Sequence, residues 1–250
     1  MSSYVVNCLP GIENKRYLEL GIYNGANFSV VKSTDKVSVD SQFPALFQMT
    51  TDEYFSQLSS KEKFDVVYID ACHQRENVVR DFNNVLKHLN SDGIIFVHDL
   101  IPDTEELTAA WYCGDGFKVL AHILKNQPND FEIYSLDSDY GLTVFVNPKK
   151  EITLKDSDAT VSYLDFKALL SGYRLYSRQE LQALVGGIGR ETKEIKSTQV
   201  QKDSIGEKES SFVESEITIT ESADISIEQA DVARPEPKPE FKKGRRKKNK

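Results

Sequence analysis

The sequence predicts an α/β protein with a mostly parallel β-sheet, helices on both faces and an antiparallel last strand. From Arg16 onward, short apolar runs rich in β-branched residues alternate with longer amphipathic stretches. Strands that alternate with helices form parallel sheets covered by helices, and near-continuous apolar strands fit burial on both faces. The last two apolar runs are separated by a few residues around Asp139-Tyr140-Gly141, which indicates a hairpin and a reversed strand.

The individual elements follow from the spacing of apolar residues along the chain. The apolar runs predict strands at 17–20, 36–40, 64–70, 93–99, 131–137 and 142–147. The amphipathic stretches predict helices at 26–33, 52–59, 75–90, 116–126, 162–171 and 178–186. The helix over 75–90 has the strongest pattern, because Val78, Phe82 and Val85 recur at helical spacing.

The composition changes after Tyr176, where aromatic residues nearly vanish. The chain is then acidic from Asp203 to Asp231 and basic from Pro239 to Lys250. Such a segment cannot offset the backbone ordering entropy of about 1–2 kcal/mol per residue. We therefore predict a globular domain over 1–188 and a disordered tail over 189–250, acidic and then basic.

Several classes of partner and compartment are disfavoured by composition. The net charge is −8, and no apolar run approaches the ~20 residues of a membrane span. The basic end of the tail has one aromatic residue, Phe241, among its basic residues and so no base-reading device, and we expect weak nucleic-acid contact there at most. The three cysteines are widely spaced, and the first residues do not resemble a signal peptide, so a reducing cytoplasm is expected. Nothing in the sequence indicates the oligomeric state.

The candidate ligand site lies at the carboxyl ends of the strands, where ligands bind in open α/β sheets. Glu19 lies in the first strand, and Gly21 and Gly25 flank the turn into a helix. Glycine permits close backbone approach, and a helix start offers free N–H groups. Asp40 ends the second strand and would accept hydrogen bonds from a ribose diol. Turn glycines and a loop carboxylate are also common without a ligand, but together they predict a nucleoside site.

Two further predicted strands are each followed by an aspartate and a histidine, which would lie at the same edge of the sheet. The strand over 64–70 ends in Asp70 with His73 close behind, and the next ends in His98-Asp99. A single histidine of this kind is often a capping or core residue bonded to the backbone. Two adjacent strands with the same pair of residue types predict a functional cluster.

Five segments of the chain together resemble the class I S-adenosylmethionine-dependent methyltransferases, with Methyltransf_24 as the most similar group. The segments are LELGIYNGANF, VSVD, TTDEYF, FDVVYIDACHQRENVVRDFNNVLKHLNSDGIIFVHDLIP and YGLTVFV. The resemblance implies a Rossmann-like seven-stranded sheet with a reversed last strand and S-adenosylmethionine as cofactor. Ala71 stands where the family more usually has glycine, which leaves Asp70 and His73 in place.

The resemblance also implies roles for particular residues. Glu19 and the Gly21–Gly25 loop would face the methionine part of the cofactor, and Asp40 would hold the ribose hydroxyls. Asp52 would lie at the adenine-side loop, although a helix cap explains it equally well. Asp70 would lie beside the cofactor, and His73 and Asp99 would line the acceptor pocket.

The expected function is methyl transfer to a small-molecule acceptor through a hydroxyl of a sugar or another metabolite. His73 is the candidate base, because an imidazole with a pKa of about 6.5 suits proton removal, and Asp99 would orient it or bind the acceptor. A second possibility is that Asp70 and Asp99 bind a Mg²⁺ ion, which would lower the pKa of the acceptor hydroxyl. Two carboxylates and a histidine are too few ligands to assign a metal.

Two alternatives to this function remain. One is another nucleotide-dependent enzyme, such as an NAD-dependent sugar-modifying enzyme, which the long glycine spacing and the lack of a Tyr-x-x-x-Lys pair disfavour. The other is a non-catalytic adaptor on the same fold that acts through its charged tail, which the presence of the candidate site residues disfavours.

Overall fold

A computed structural model describes residues 2–149, 153–154 and 160–188. The predicted disordered tail, 189–250, lies outside the described residues.

The sheet has seven strands in the order β2-β1-β3-β4-β6-β5-β7, which makes the domain Rossmann-like as expected. The strands are β1 (Arg16–Leu20), β2 (Asp35–Val39), β3 (Phe64–Ile69), β4 (Leu89–Val97), β5 (Glu132–Leu136), β6 (Thr143–Val146) and β7 (Leu175–Tyr176). Strands β2, β1, β3 and β4 are parallel, whereas β6 is antiparallel to both β4 and β5. The reversed strand predicted at 142–147 is therefore confirmed. The two-residue strand β7 was not predicted from the sequence.

The helices are α1 (Ser3–Val6), α2 (Ala26–Val30), α3 (Thr51–Gln57), α4 (Arg75–Lys87), α5 (Phe117–Asn126), α6 (Tyr163–Leu170) and α7 (Arg178–Gly187). Short 3₁₀ helices lie at Ile12–Asn14 and Glu105–Thr108. All six predicted helices are present, and α4 ends before residue 90 because β4 begins at Leu89. Helix α1 was not predicted.

The sheet separates two hydrophobic clusters, which confirms helices on both faces. Successive residues of a strand point to opposite faces, and in β4 Ile95 and Phe96 belong to different clusters. The first cluster includes Phe82 of α4 and Phe166 of α6, and the second includes Val185 of α7. Burial of each such side chain contributes about 1.5–3 kcal/mol, so both clusters stabilise the packing of the helices on the sheet.

The carboxyl ends of three strands lie side by side. Leu20 of β1 pairs with Ile69 of β3, which in turn pairs with Val97 of β4. The backbone continues this alignment, because Asp70 N–H donates to the Leu20 carbonyl at 2.8 Å and His98 N–H donates to the Ile69 carbonyl at 3.0 Å. The residues that follow these strands therefore share one edge of the sheet.

In the part of the chain that the structure describes, no helix has both the length and the apolar character needed to cross a membrane.

Candidate functional site

Gly21 brings the ends of β1 and β3 into close contact. Its φ is +79°, and a Cβ there would lie 2.3 Å from the carbonyl oxygen of Asp70. Gly25 also has a positive φ, +73°, but a Cβ there would meet nothing within 4 Å. Glycine is thus required at Gly21 by both conformation and space, whereas at Gly25 only the left-handed turn into α2 requires it.

Glu19 belongs to a buried polar chain behind the glycine loop. Glu19 is 1% exposed, and its carboxylate accepts hydrogen bonds from Tyr17 Oη at 2.5 Å and from Asn27 Nδ2 at 3.2 Å. Burial raises the pKa of Glu19 to about 7, although both hydrogen bonds act in the opposite direction. Asn27 Oδ1 also accepts from the backbone N–H of Ser3 at 2.7 Å, so this chain ties β1 and α2 to helix α1.

Asp40 lies beside the glycine loop, as predicted, and its carboxylate organises the backbone there. Oδ2 accepts from the N–H groups of Ile22 at 2.9 Å and Tyr23 at 3.2 Å. Oδ1 accepts from the N–H groups of Gln42 at 2.7 Å and Phe43 at 3.0 Å. A carboxylate has about four acceptor positions, so a ribose diol would compete with these bonds.

Asp52 lies in the first turn of α3, where its carboxylate pairs with Arg80 Nε at 2.7 Å. It is not the helix cap, because Thr50 accepts from the N–H of Glu53, and Glu53 bonds back to Thr50. Among the described residues, no direct contact joins Asp52 to Glu19 or Asp40. The structure therefore does not bring Asp52 together with the other predicted cofactor residues.

His73 lies between the two predicted aspartates. Its Nε2 is 3.1 Å from Asp70 Oδ1, and its Nδ1 is 3.1 Å from Asp99 Oδ2. Nδ1 also lies 2.8 Å from the carbonyl oxygen of Tyr112. The structure thus brings Asp70, His73 and Asp99 together, as the sequence predicted.

His98 also contacts aspartates of the same cluster. Its Nδ1 lies 2.9 Å from Asp99 Oδ1 and 3.6 Å from Asp70 Oδ1, and its Nε2 lies 3.7 Å from Asp139 Oδ2. The sequence placed His98 at this rim but assigned it no role, and Asp139 was missed. The sequence signal that could have identified Asp139 was the short turn at Asp139-Tyr140-Gly141. In the structure, Asp139 and Tyr140 in this turn have positive φ values of +56° and +53°.

The opposite charges of the cluster stabilise one another. Burial alone would lower the pKa of His73, but its hydrogen bond to Asp70 and the charge of Asp99 raise it. The pKa of His98 is raised well above its usual value despite burial, chiefly by Tyr68 and Asp70. Burial would raise the pKa of Asp70, but His98 and His73 hold it well below its usual range. The cluster therefore favours the ionised form of Asp70 and the protonated forms of His73 and His98, and His73 can act as a base only in its unprotonated form.

The same cluster brings together three groups of the kinds that bind metal ions. One ligand atom from each of Asp70, His73 and Asp99 lies within 4.8 Å of the others. Mg²⁺ prefers oxygen ligands in near-octahedral geometry, whereas one of these three groups is an imidazole that lies 3.1 Å from each carboxylate. This donor set does not fit Mg²⁺.

Residues 31–100 match the family model described as "Methyltransferase domain", Methyltransf_24. This confirms the resemblance predicted from the sequence. The match runs from the end of α2 past the end of β4 and includes Asp40, Asp70, His73 and Asp99.

Solved structures similar to this chain include methyltransferases of distant sequence. An O-methyltransferase from Bacillus cereus in complex with SAH is 14% identical over 58% of this chain and 80% of its own, with a TM-score of 0.47. The O-methyltransferase TomG from Streptomyces achromogenes, in complex with SAM, is 14% identical over 59% and 80%, with a TM-score of 0.45. At these identities and TM-scores, the neighbours do not identify an activity for this chain. No curated protein matches it.

Proposed function

We propose that this protein transfers a methyl group from S-adenosylmethionine to a small-molecule acceptor through a hydroxyl group. The observation that carries the proposal is the edge at which β1, β3 and β4 end. There Gly21 packs on Asp70, and the loop after Gly21 is bonded to Asp40. The match of residues 31–100 to the methyltransferase domain supports the same conclusion.

The residues present at this edge fit the cofactor. Glu19 is buried with a pKa of about 7, so a nearby ammonium group would favour its ionised form. Glu19 would thus face the methionine end, the loop held by Asp40 would face the adenosyl part, and Asp70 would lie next to the sulfonium. When bound, S-adenosylmethionine supplies an electrophilic methyl carbon.

The protein's own contribution is to position the acceptor and to accept its proton. A hydroxyl oxygen that bonds to the methyl carbon must release its proton, and His73 is the group proposed to take it. Asp70 is a poor alternative, because its lowered pKa makes it a weak base. Asp99 would orient the ring through its 3.1 Å contact with Nδ1. No step is assigned to a metal ion.

Calorimetry with S-adenosylhomocysteine and with NAD tests the cofactor. We expect saturable binding of S-adenosylhomocysteine and none of NAD. Binding of NAD alone would favour the other nucleotide-dependent enzyme. Methyl transfer is then tested by mass spectrometry of candidate hydroxyl compounds incubated with S-adenosylmethionine, in which the product gains one CH₂.

A deletion of residues 190–250 tests the adaptor alternative. An enzyme keeps cofactor binding and turnover without the tail, whereas an adaptor loses its partner. This experiment also tests the proposed division into a domain over 1–188 and a tail over 189–250. We further propose a cytoplasmic location, in keeping with the absence of a disulfide bond among Cys8, Cys72 and Cys113.

A further inference from the structure

One carboxylate positions two aromatic residues beside the glycine loop. Asp40 Oδ2 accepts a hydrogen bond from the N–H of Tyr23 at 3.2 Å, and Asp40 Oδ1 accepts one from the N–H of Phe43 at 3.0 Å. The two rings meet edge to face, with centroids 4.9 Å apart and an angle of 74° between their planes. We refer to Tyr23 and Phe43 as the aromatic pair. Because backbone hydrogen bonds to Asp40 set its position, the pair stays next to the loop between Gly21 and Gly25.

Tyr23 has a backbone conformation that disfavours most side chains. Its φ is +48°, in the left-handed region where a Cβ lies close to the following carbonyl oxygen. Tyr23 is also 50% exposed, so burial of its ring offsets only part of the cost of this conformation. The packing of the core therefore does not require a tyrosine at this position. The exposed face of its ring is available to a ligand that binds at the glycine loop.

The aromatic pair lies at the β2 side of the candidate site. Strand β1 lies between β2 and β3, so Asp40 after β2 and Asp70 after β3 flank the glycine loop that follows β1. Neighbouring strands are about 4.8 Å apart, so the ends of β2 and β3 are separated by about 10 Å. The hydroxyl of an acceptor would lie near His73, on the β3 side of the loop. The position of the pair therefore suits the cofactor rather than the acceptor.

The order of the groups in the cofactor matches this arrangement. In S-adenosylmethionine the ribose lies between the sulfonium and the adenine base. With the sulfonium next to Asp70, the base would extend past the glycine loop toward the β2 side. Asp52, which the family resemblance assigns to the adenine side, is paired with Arg80 at 2.7 Å and makes no direct contact with Asp40 in the described part of the chain. The aromatic pair, which is bonded to Asp40, is thus better placed than Asp52 to contact the base.

We propose that Tyr23 binds the adenine base of S-adenosylmethionine by stacking, and that Phe43 is a positioning residue that orients the Tyr23 ring. This inference rests on the proposed function, because it assigns the base-binding residue of the same site. Every base has a flat π face, and stacking of that face on an aromatic side chain contributes substantially to binding. The edge-to-face contact with Phe43 restricts rotation of the Tyr23 ring, so the ring is oriented before the base arrives.

Calorimetry with S-adenosylhomocysteine compares two substitutions of Tyr23. Tyr23→Phe keeps the aromatic ring, whereas Tyr23→Asn removes it and introduces a residue that adopts positive φ more readily. We expect wild-type affinity for Y23F and about tenfold weaker binding for Y23N, in line with the loss of one stacked base. Tyr176→Asn, in β7 at the opposite end of the sheet, is the control and should bind as the wild type does. Equal affinities of Y23F and Y23N would overturn the proposal.

Ligands with and without the base distinguish stacking from support of the loop. Adenosine keeps the base and the ribose, whereas S-ribosylhomocysteine keeps the ribose and the amino-acid end but has no base. We expect Y23N to weaken binding of S-adenosylhomocysteine and adenosine by a similar factor and to leave binding of S-ribosylhomocysteine unchanged. Phe43→Leu should show the same ligand dependence with a smaller loss, and wild-type binding of all three ligands in F43L would contradict its positioning role. An equal loss for S-ribosylhomocysteine in Y23N would mean that Tyr23 only supports the loop, and the proposal would fail.

The same titrations allow the base site and the proposed function to fail separately. Wild-type protein that binds adenosine in a Tyr23-dependent manner, but not S-adenosylhomocysteine, contradicts the proposed methyl transfer and supports the base site. Equal binding of S-adenosylhomocysteine by the wild type and Y23N contradicts the base site alone. Wild-type protein that binds neither ligand contradicts both.

Discussion

His73 Nε2 lies 3.1 Å from Asp70 Oδ1, and the two groups shift in opposite directions: the pKa of His73 is raised and that of Asp70 is lowered. Each group therefore favours the charged form of the other. The pair links the residue that ends β3 to the residue proposed as the base, so the protonation of His73 decides when the base is available.

Replacing His73 by alanine should lower turnover while S-adenosylhomocysteine affinity stays close to that of the wild type. Loss of a general base typically reduces the rate by about 10²–10⁴-fold. Because the pKa of His73 is raised, wild-type turnover should still be rising with pH above about 6.5, and H73A should lack that rise. His122→Ala, in α5, is the control and should retain activity. Unchanged turnover in H73A would mean that the base lies elsewhere.

Replacing Asp40 by alanine should weaken both cofactor binding and the fold. The carboxylate accepts four backbone N–H bonds, and hydrogen bonds to a charged group contribute roughly 1.5–3 kcal/mol each. Asp40→Asn keeps one acceptor oxygen and should lie between D40A and the wild type. Urea unfolding and calorimetry with S-adenosylhomocysteine measure the two effects. A folded D40A protein with wild-type affinity would contradict the ribose role of Asp40.

Replacing Glu19 by glutamine should reduce the loss of stability at alkaline pH. The folded-state pKa of Glu19, about 7, lies above its ordinary 4.5, so the folded state favours the protonated form. The stabilisation of the folded state by protonated Glu19 is complete below pH 4.5 and is lost as the pH rises through 7. The loss lowers the free energy of unfolding by roughly 3 kcal/mol. The raised pKa values of His73 and His98 act in the same direction above about pH 6.5.

Urea unfolding at pH 5 and pH 8 tests this prediction about Glu19. E19Q should lose less stability between the two values than the wild type does. Asp81→Asn is a useful comparison, because burial raises the pKa of Asp81 to about 6 and its contribution should be lost over a lower range. The same loss in E19Q and the wild type would show that Glu19 ionises without hindrance in the folded protein.

Replacing Gly21 by alanine should destabilise the protein more than the same change at Gly25. Both positions have positive φ, which costs a non-glycine residue roughly 1–2 kcal/mol. Only at Gly21 would the new Cβ also collide with the Asp70 carbonyl. Chemical denaturation measures the loss in free energy of unfolding for G21A and for G25A, and the difference between the two losses reports the cost of this collision. Equal losses would show that the ends of β1 and β3 can separate without cost.

The fold was largely predictable because its strongest signals are local. The apolar runs at 64–70 and 142–147 became β3 and β6, and the helical spacing after residue 75 became α4. The misses were short elements: α1 and the two-residue β7 contain too few residues to show a period. Such elements are stabilised by packing, which no short sequence pattern records.

Within the site, the sequence by itself determined which residues follow the parallel strands, since strand ends in a helix-covered sheet share one edge. That placed Gly21, Asp70 and His73 together. Only the tertiary structure decided how their side chains are used. In the folded domain, Asp40 accepts hydrogen bonds from four backbone N–H groups, and Asp52 forms an ion pair with Arg80. Asp139 lies near His98 because the β5–β6 hairpin packs on the segment after β4. The physical reason is that strand order follows from local patterns, whereas contacts between distant residues depend on packing and charge pairing across the whole domain.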